Sequence, residues 1–82
     1  MKILYFSWLR EKVGVPTETI QTSAHTVEEL LDELMLSDAK YKEAFSNYES
    51  LRVAVDQELA LDFSVSIKGA SEVAFFPPMT GG

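Results

Sequence analysis

One stretch of this sequence constrains the fold more than any other: TVEELLDELM, residues 26–35. Thr26 followed three places later by Glu29 is a capping box, in which a hydroxyl and a carboxylate satisfy N–H groups that a helix start leaves unpaired. Val27, Leu30, Leu31, Leu34 and Met35 then recur at helical spacing, so one apolar stripe must be buried against another element. Glu28, Glu29, Asp32 and Glu33 make the opposite side a solvated face whose first-turn carboxylates suit the helix dipole, and no metal site is expected there.

The partner for that stripe comes from β-prone segments on either side. KILYFSW, residues 2–8, predicts a strand with Ile3 and Tyr5 on one face and Leu4, Phe6 and Trp8 on the other. Both faces are apolar, which suits a central strand or one whose second face meets a partner. The charged REK and the Gly14 and Pro16 turn signal end it, and Arg10 and Glu11 read as solvated loop charges. TETIQTS, residues 17–23, predicts a second strand in hairpin with the first. After the main helix, Tyr41, Ala44, Phe45 and Tyr48 keep helical spacing from Ser37 to about residue 48, a second, shorter helix.

LRVAVDQELAL, residues 51–61, then predicts two short strands turning at Asp56 and Gln57. Residues 62–71 are loop-like with Gly69 as the turn, and EVAFFP, residues 72–77, is a last strand with Val73 and Phe75 on one face and Ala74 and Phe76 on the other. A hairpin followed by one strong helix packs that helix across a mixed sheet. The expected architecture is therefore α+β, a ubiquitin-like β-grasp of about five strands over residues 1–76, with residues 77–82 as an extended tail.

Composition narrows the chemistry. Thirteen acidic against seven basic residues give a net charge of −6, which opposes nucleic acid and anionic membranes and favours a basic partner. There is no cysteine, so no thiol side chain reacts or holds a metal. No small-residue cleavage site follows the apolar MKILYFSW, and no run approaches the roughly 20 apolar residues of a membrane span, so a cytoplasmic location is expected. The single histidine, His25, reads as a surface residue beside the helix cap, and no phosphate loop or nucleophile elbow is present. No permanently bound cofactor or metal and no catalytic side chain are expected.

The tail, FFPPMTGG, carries the chemistry instead. Pro77 and Pro78 fix their own φ and hold their predecessors extended, so the chain leaves the sheet as a stiff arm of on the order of 20 Å over six residues. Gly81 and Gly82 remove every side chain beside the terminal carboxylate, so a narrow channel can close around the backbone. A carboxylate is a poor electrophile, but joined to AMP from ATP it becomes a mixed anhydride that sulfur can attack. A glycine pair alone leaves an inert tail open; with a β-grasp order and a proline-stiffened apolar neck it points to an acyl carrier.

At these residues the sequence resembles the family of small, sulfur-carrying subunits of molybdopterin synthase. EVAFFPPMTGG (Glu72 to Gly82) is similar to that family's C-terminal signature, and Phe6, Arg10, Glu11 and Gly14 match its opening pattern. The resemblance implies a two-stage role. An adenylyltransferase of the ubiquitin-activating type converts the Gly82 carboxylate to an acyl-adenylate, with ATP consumed by that partner and AMP attached transiently at Gly82. A sulfur donor system then makes the thiocarboxylate. The tail next enters the large subunit, where sulfur passes to the cyclic pyranopterin precursor to build the dithiolene, within a heterotetramer. Phe76, Pro77, Pro78 and Met79 are expected to dock, Thr80 and Gly81 to thread, and Gly82 to react. Related carriers for thiamin or tRNA thiolation, and a modifier that joins to lysines as ubiquitin does, are the alternatives; the double proline after two aromatics favours the molybdopterin carrier.

Overall fold

The computed structural model describes residues 1–78, and its elements run in the expected order with one addition. Strand β1 spans Lys2–Tyr5, helix α1 Trp8–Val13, strand β2 Thr17–Thr19, helix α2 Val27–Ser37 and helix α3 Ala39–Ala44. A 3-10 turn at Tyr48–Ser50 leads into β3 (Arg52–Val55), β4 (Glu58–Leu59) and β5 (Glu72–Phe76). The five strands form one sheet in the order β2-β1-β5-β3-β4. β1 and β5 run parallel at its centre and the other pairs are antiparallel, the mixed sheet of a β-grasp.

The apolar stripe of α2 does what its spacing requires: Val27, Leu30, Leu31 and Leu34 are all buried. They meet Ile3, Tyr5, Val53, Val73 and Phe75 from the sheet, with Leu9, Val13, Tyr41, Ala44, Phe45, Leu51 and Ile67 closing the same core. Tyr5, Phe45 and Phe75 form its aromatic centre, with ring centroids 5.1 to 6.5 Å apart. At the helix start the Thr26 hydroxyl accepts from the Glu29 N–H (3.1 Å). The return half of the box is displaced by one residue, for Glu29 accepts from the N–H of His25, which is itself exposed.

Three expectations need correction. β1 stops at Tyr5, and the segment read as strand then charged loop is helix α1, its Leu9 and Val13 buried one turn apart and its end closed by Gly14 in the left-handed conformation (φ 98°). The second strand is Thr17–Thr19 and not residues 17–23, because beyond Thr19 the pairing goes no further than Ile20, whose N–H donates to the Met1 carbonyl (2.9 Å) and whose carbonyl accepts from the Met1 ammonium (3.2 Å), and the chain then turns toward α2. The second helix begins at Ala39, where Asp38 in extended conformation breaks from α2 and its carboxylate caps the Lys40 N–H (3.0 Å).

The β3–β4 turn is as expected, with Asp56 (φ 49°) and Gln57 (φ 72°) both left-handed. Asp56 does more than turn the chain: its Oδ1 accepts from the N–H groups of Ser71 and Glu72, both at 2.9 Å, and so fixes where β5 begins. Asp56→Ala is expected to cost about 1 kcal/mol, the usual scale of a lost cap, whereas Asp56→Asn keeps an acceptor oxygen and loses less. Urea unfolding of the two variants checks this, and equal losses would contradict it.

Candidate functional site

The parallel pairing of β1 and β5 brings both strands to the surface at the same end of the sheet. In β5, Val73 and Phe75 point into the core and Ala74 and Phe76 point outward, as the alternation predicts. Beside Phe76 the structure places Phe6, the residue after β1. Tyr5 is buried, while the Phe6 ring meets Phe76 edge-on at 6.3 Å and 87°. The Phe6 N–H still bonds the Phe75 carbonyl (3.1 Å), so the two rings are held by the last rung of the central ladder.

From that pair the chain leaves through Pro77 and Pro78. Phe6, Ser7, Phe76, Pro77 and Pro78 line an open cleft of about 470 Å³ whose only polar side chain among the described residues is Ser7. The outer face behind it is apolar or small: Leu4 pairs with Ala74, Ala74 with Ala54, and Ala54 with Leu59, which is 63% exposed. Arg52 stands opposite Phe76 at the rim. Phe6 is 48% exposed although an aromatic ring in that position gains most by burial, and an exposed aromatic cluster of this kind marks an interface. Sequence reasoning placed Phe76, Pro77 and Pro78 here. Met79, Thr80, Gly81 and Gly82 lie outside the described residues. Ser7 was missed, and its signal, a small polar residue between two aromatics, is too common to be read alone.

Two hollows of about 580 Å³ lie elsewhere, one beside the β3–β4 hairpin and one at the N-terminus. Among the described residues no group of three His, Asp or Glu gathers in a way that could hold a metal ion, and no helix is long and apolar enough to cross a membrane.

The strongest polar contact is structural. The Glu18 carboxylate on β2 accepts from the Tyr5 hydroxyl (2.6 Å) and the Tyr41 hydroxyl (2.5 Å), tying the edge strand to the core and to α3. Burial, and then the bond to the carboxylate, raise both phenol pKa values, that of Tyr41 to about 12. A phenol that holds its proton more tightly when folded contributes stability that is fully present below the ordinary value near 10 and is lost as pH rises through it. The melting temperature is therefore expected to fall between about pH 10 and 12, and to fall less in Tyr41→Phe. An equally steep decline in that variant would contradict the assignment.

A five-strand mixed sheet with α2 across one face, its central strand running out through an aromatic and proline neck, defines a ubiquitin-like β-grasp domain. The chain belongs to the ThiS family, whose sequence profile it matches over residues 3–82. It is 34% identical over 82 residues to the molybdopterin synthase sulfur carrier subunit of Escherichia coli (strain K12), covering 100% of this chain and 99% of that one. To the subunit of the same name from Haemophilus influenzae it is 32% identical over the same span, again covering 100% of this chain and 99% of the relative. The fold is shared with SAMP1 from Haloferax volcanii (TM-score 0.73, 24% identity, 100% and 98% of the two chains). It is shared as well with a putative molybdopterin converting factor, subunit 1, from Pyrococcus furiosus (TM-score 0.69, 23% identity, 95% of each chain).

Proposed function

We propose that this chain is the sulfur carrier subunit of a molybdopterin synthase. The observation that carries the reading is the neck: the central strand β5 ends at the surface beside Phe6 and continues into Pro77 and Pro78, which the sequence follows with Met79, Thr80, Gly81 and Gly82. The two full-length relatives that bear the carrier name support it.

The chemistry is that of a chain end. In the activating partner, an adenylyltransferase, the Gly82 carboxylate attacks the α-phosphorus of ATP and pyrophosphate leaves. Sulfur at the sulfide level, delivered by the donor system, attacks the acyl carbon, AMP leaves, and a thiocarboxylate remains. Phe76, Pro77, Pro78 and Met79 dock on the large subunit, while Thr80 and Gly81 thread toward its active site. There the thiocarboxylate sulfur passes to the pyranopterin precursor and the carboxylate is regenerated after hydrolysis. This chain binds and aims, and the partners supply the acid, base and phosphate-binding groups. Its place of action is the cytoplasm.

Incubation with ATP, the adenylyltransferase and a sulfide source is expected to raise the intact mass by roughly 16 Da, the exchange of one oxygen for sulfur. An unchanged mass in the presence of an activating enzyme that works on its own carrier would count against every carrier reading.

A further inference from the structure

We propose that Trp8, together with Phe6, forms a second anchor beside the neck and enters an apolar, acid-rimmed pocket of the protein that receives the tail. The inference rests on the carrier reading and takes that protein to be the large subunit of the synthase.

Backbone geometry is the first support. Between β1 and α1, Ser7 adopts φ 59°, ψ −137°, a region that only glycine enters without strain. Its side chain makes no capping bond to α1, and only backbone bonds close the turn, the Ser7 carbonyl accepting from the Arg10 N–H (3.1 Å) and the Phe6 carbonyl from the Leu9 N–H (3.2 Å). The segments on either side hold it there: the Phe6 N–H is bonded to the Phe75 carbonyl before it, and Leu9 is fully buried after it.

The second support is what the detour leaves outside. Tyr5 and Leu9 are in the core, yet Phe6 and Trp8 between them are 48% and 40% exposed. A junction that served only to close the core would carry polar residues at both places. A strained residue flanked by two exposed aromatics combines two costs to stability at one spot, and it lies at the neck cleft, where Phe6 meets Phe76. Tryptophan is also the side chain that most often dominates the energy of a protein interface.

Charge supplies the chemistry of the pocket. The chain as a whole is at −6, but Arg10 and Lys12 on α1 and Arg52 beside Phe76 are exposed on the elements that frame this turn, against Glu11 alone on α1. An apolar pocket with acidic residues around it complements that surface.

Trp8 is the only tryptophan, so it can report on its own docking. The full chain, grown with a fluorinated tryptophan, gives one fluorine resonance, and it is titrated with the purified large subunit. On complex formation that resonance is expected to shift and to lose its response to a paramagnetic agent in the solvent. Trp8→Ala is expected to weaken the complex about tenfold, Trp8→Phe to restore most of the affinity, and Leu36→Ala, an exposed leucine on α2, to change nothing. Raising the salt concentration is expected to weaken the wild-type complex. A complex that forms with an unmoved resonance and full affinity in Trp8→Ala overturns the second anchor and leaves the carrier reading standing. Affinity that does not fall with salt overturns the acidic rim. If no complex forms at all, the carrier reading and this inference fall together. A resonance already shielded in a self-associated free protein makes a second copy the occupant and overturns the proposal.

Discussion

A variant that ends at Gly81 is expected to fold as the full chain does and to transfer no sulfur. The fold should be indifferent, because the core is complete by Phe75 and the sheet by Phe76. Chemistry should not be indifferent. Each residue of an extended arm spans roughly 3.5 Å, so losing one withdraws the acyl carbon by that distance from the two places where it must react. Misplacement by about 1 Å is enough to cost on the order of a hundredfold in a positioned reaction. Addition of one residue after Gly82 is expected to fail for the same reason, since the carboxylate then sits past the site and carries a new neighbour. Melting temperature and sulfur transfer measured on the same preparations separate the two effects. Undiminished transfer by either variant would leave only an inert tail.

The second large effect is one of stability and lies one residue before the neck. Phe75→Ala is expected to cost about 3–5 kcal/mol, because a fully buried ring is removed from between Tyr5 and Phe45 and the sheet and α3 cannot both close on the space. A domain of this size has roughly 4–12 kcal/mol in all, and the melting temperature should fall by roughly 15–30 °C. Phe76→Ala, one residue on, is expected to leave melting almost unchanged and to weaken docking on the partner. The contrast tests the alternation of β5 directly. Loss of stability in both variants, with no loss of binding in the second, would mean that Phe76 belongs to the core.

The legible part of the fold was the part with long or redundant periodicity. The stripe of α2 runs over two turns and carries its own cap, so neither its type nor its buried face was in question. The β5 alternation, the Asp56 turn and the Gly69 turn (φ 78°) were equally local and appear as expected. Helix α1 was hidden because it has six residues, its only periodic signal is the pair Leu9 and Val13, and the aromatics before it are good strand formers. Tertiary burial of those two side chains decided against the local preference. For the site, the sequence pointed to Phe76, Pro77 and Pro78, which the structure brings together in one cleft at the end of β5. It did not hold the Phe6 contact, which depends on β1 and β5 being parallel and in register, a pairing between residues about 70 positions apart.

The place of β5 in the sheet has a mechanical side. A tail that enters a close channel has to be withdrawn again, and any pull on it passes into the strand from which it grows. Because β5 lies between β1 and β3, with β1 parallel to it, a force along its axis loads two ladders in shear at once instead of peeling one open bond by bond. That arrangement opposes unravelling of the sheet from the C-terminal end of β5.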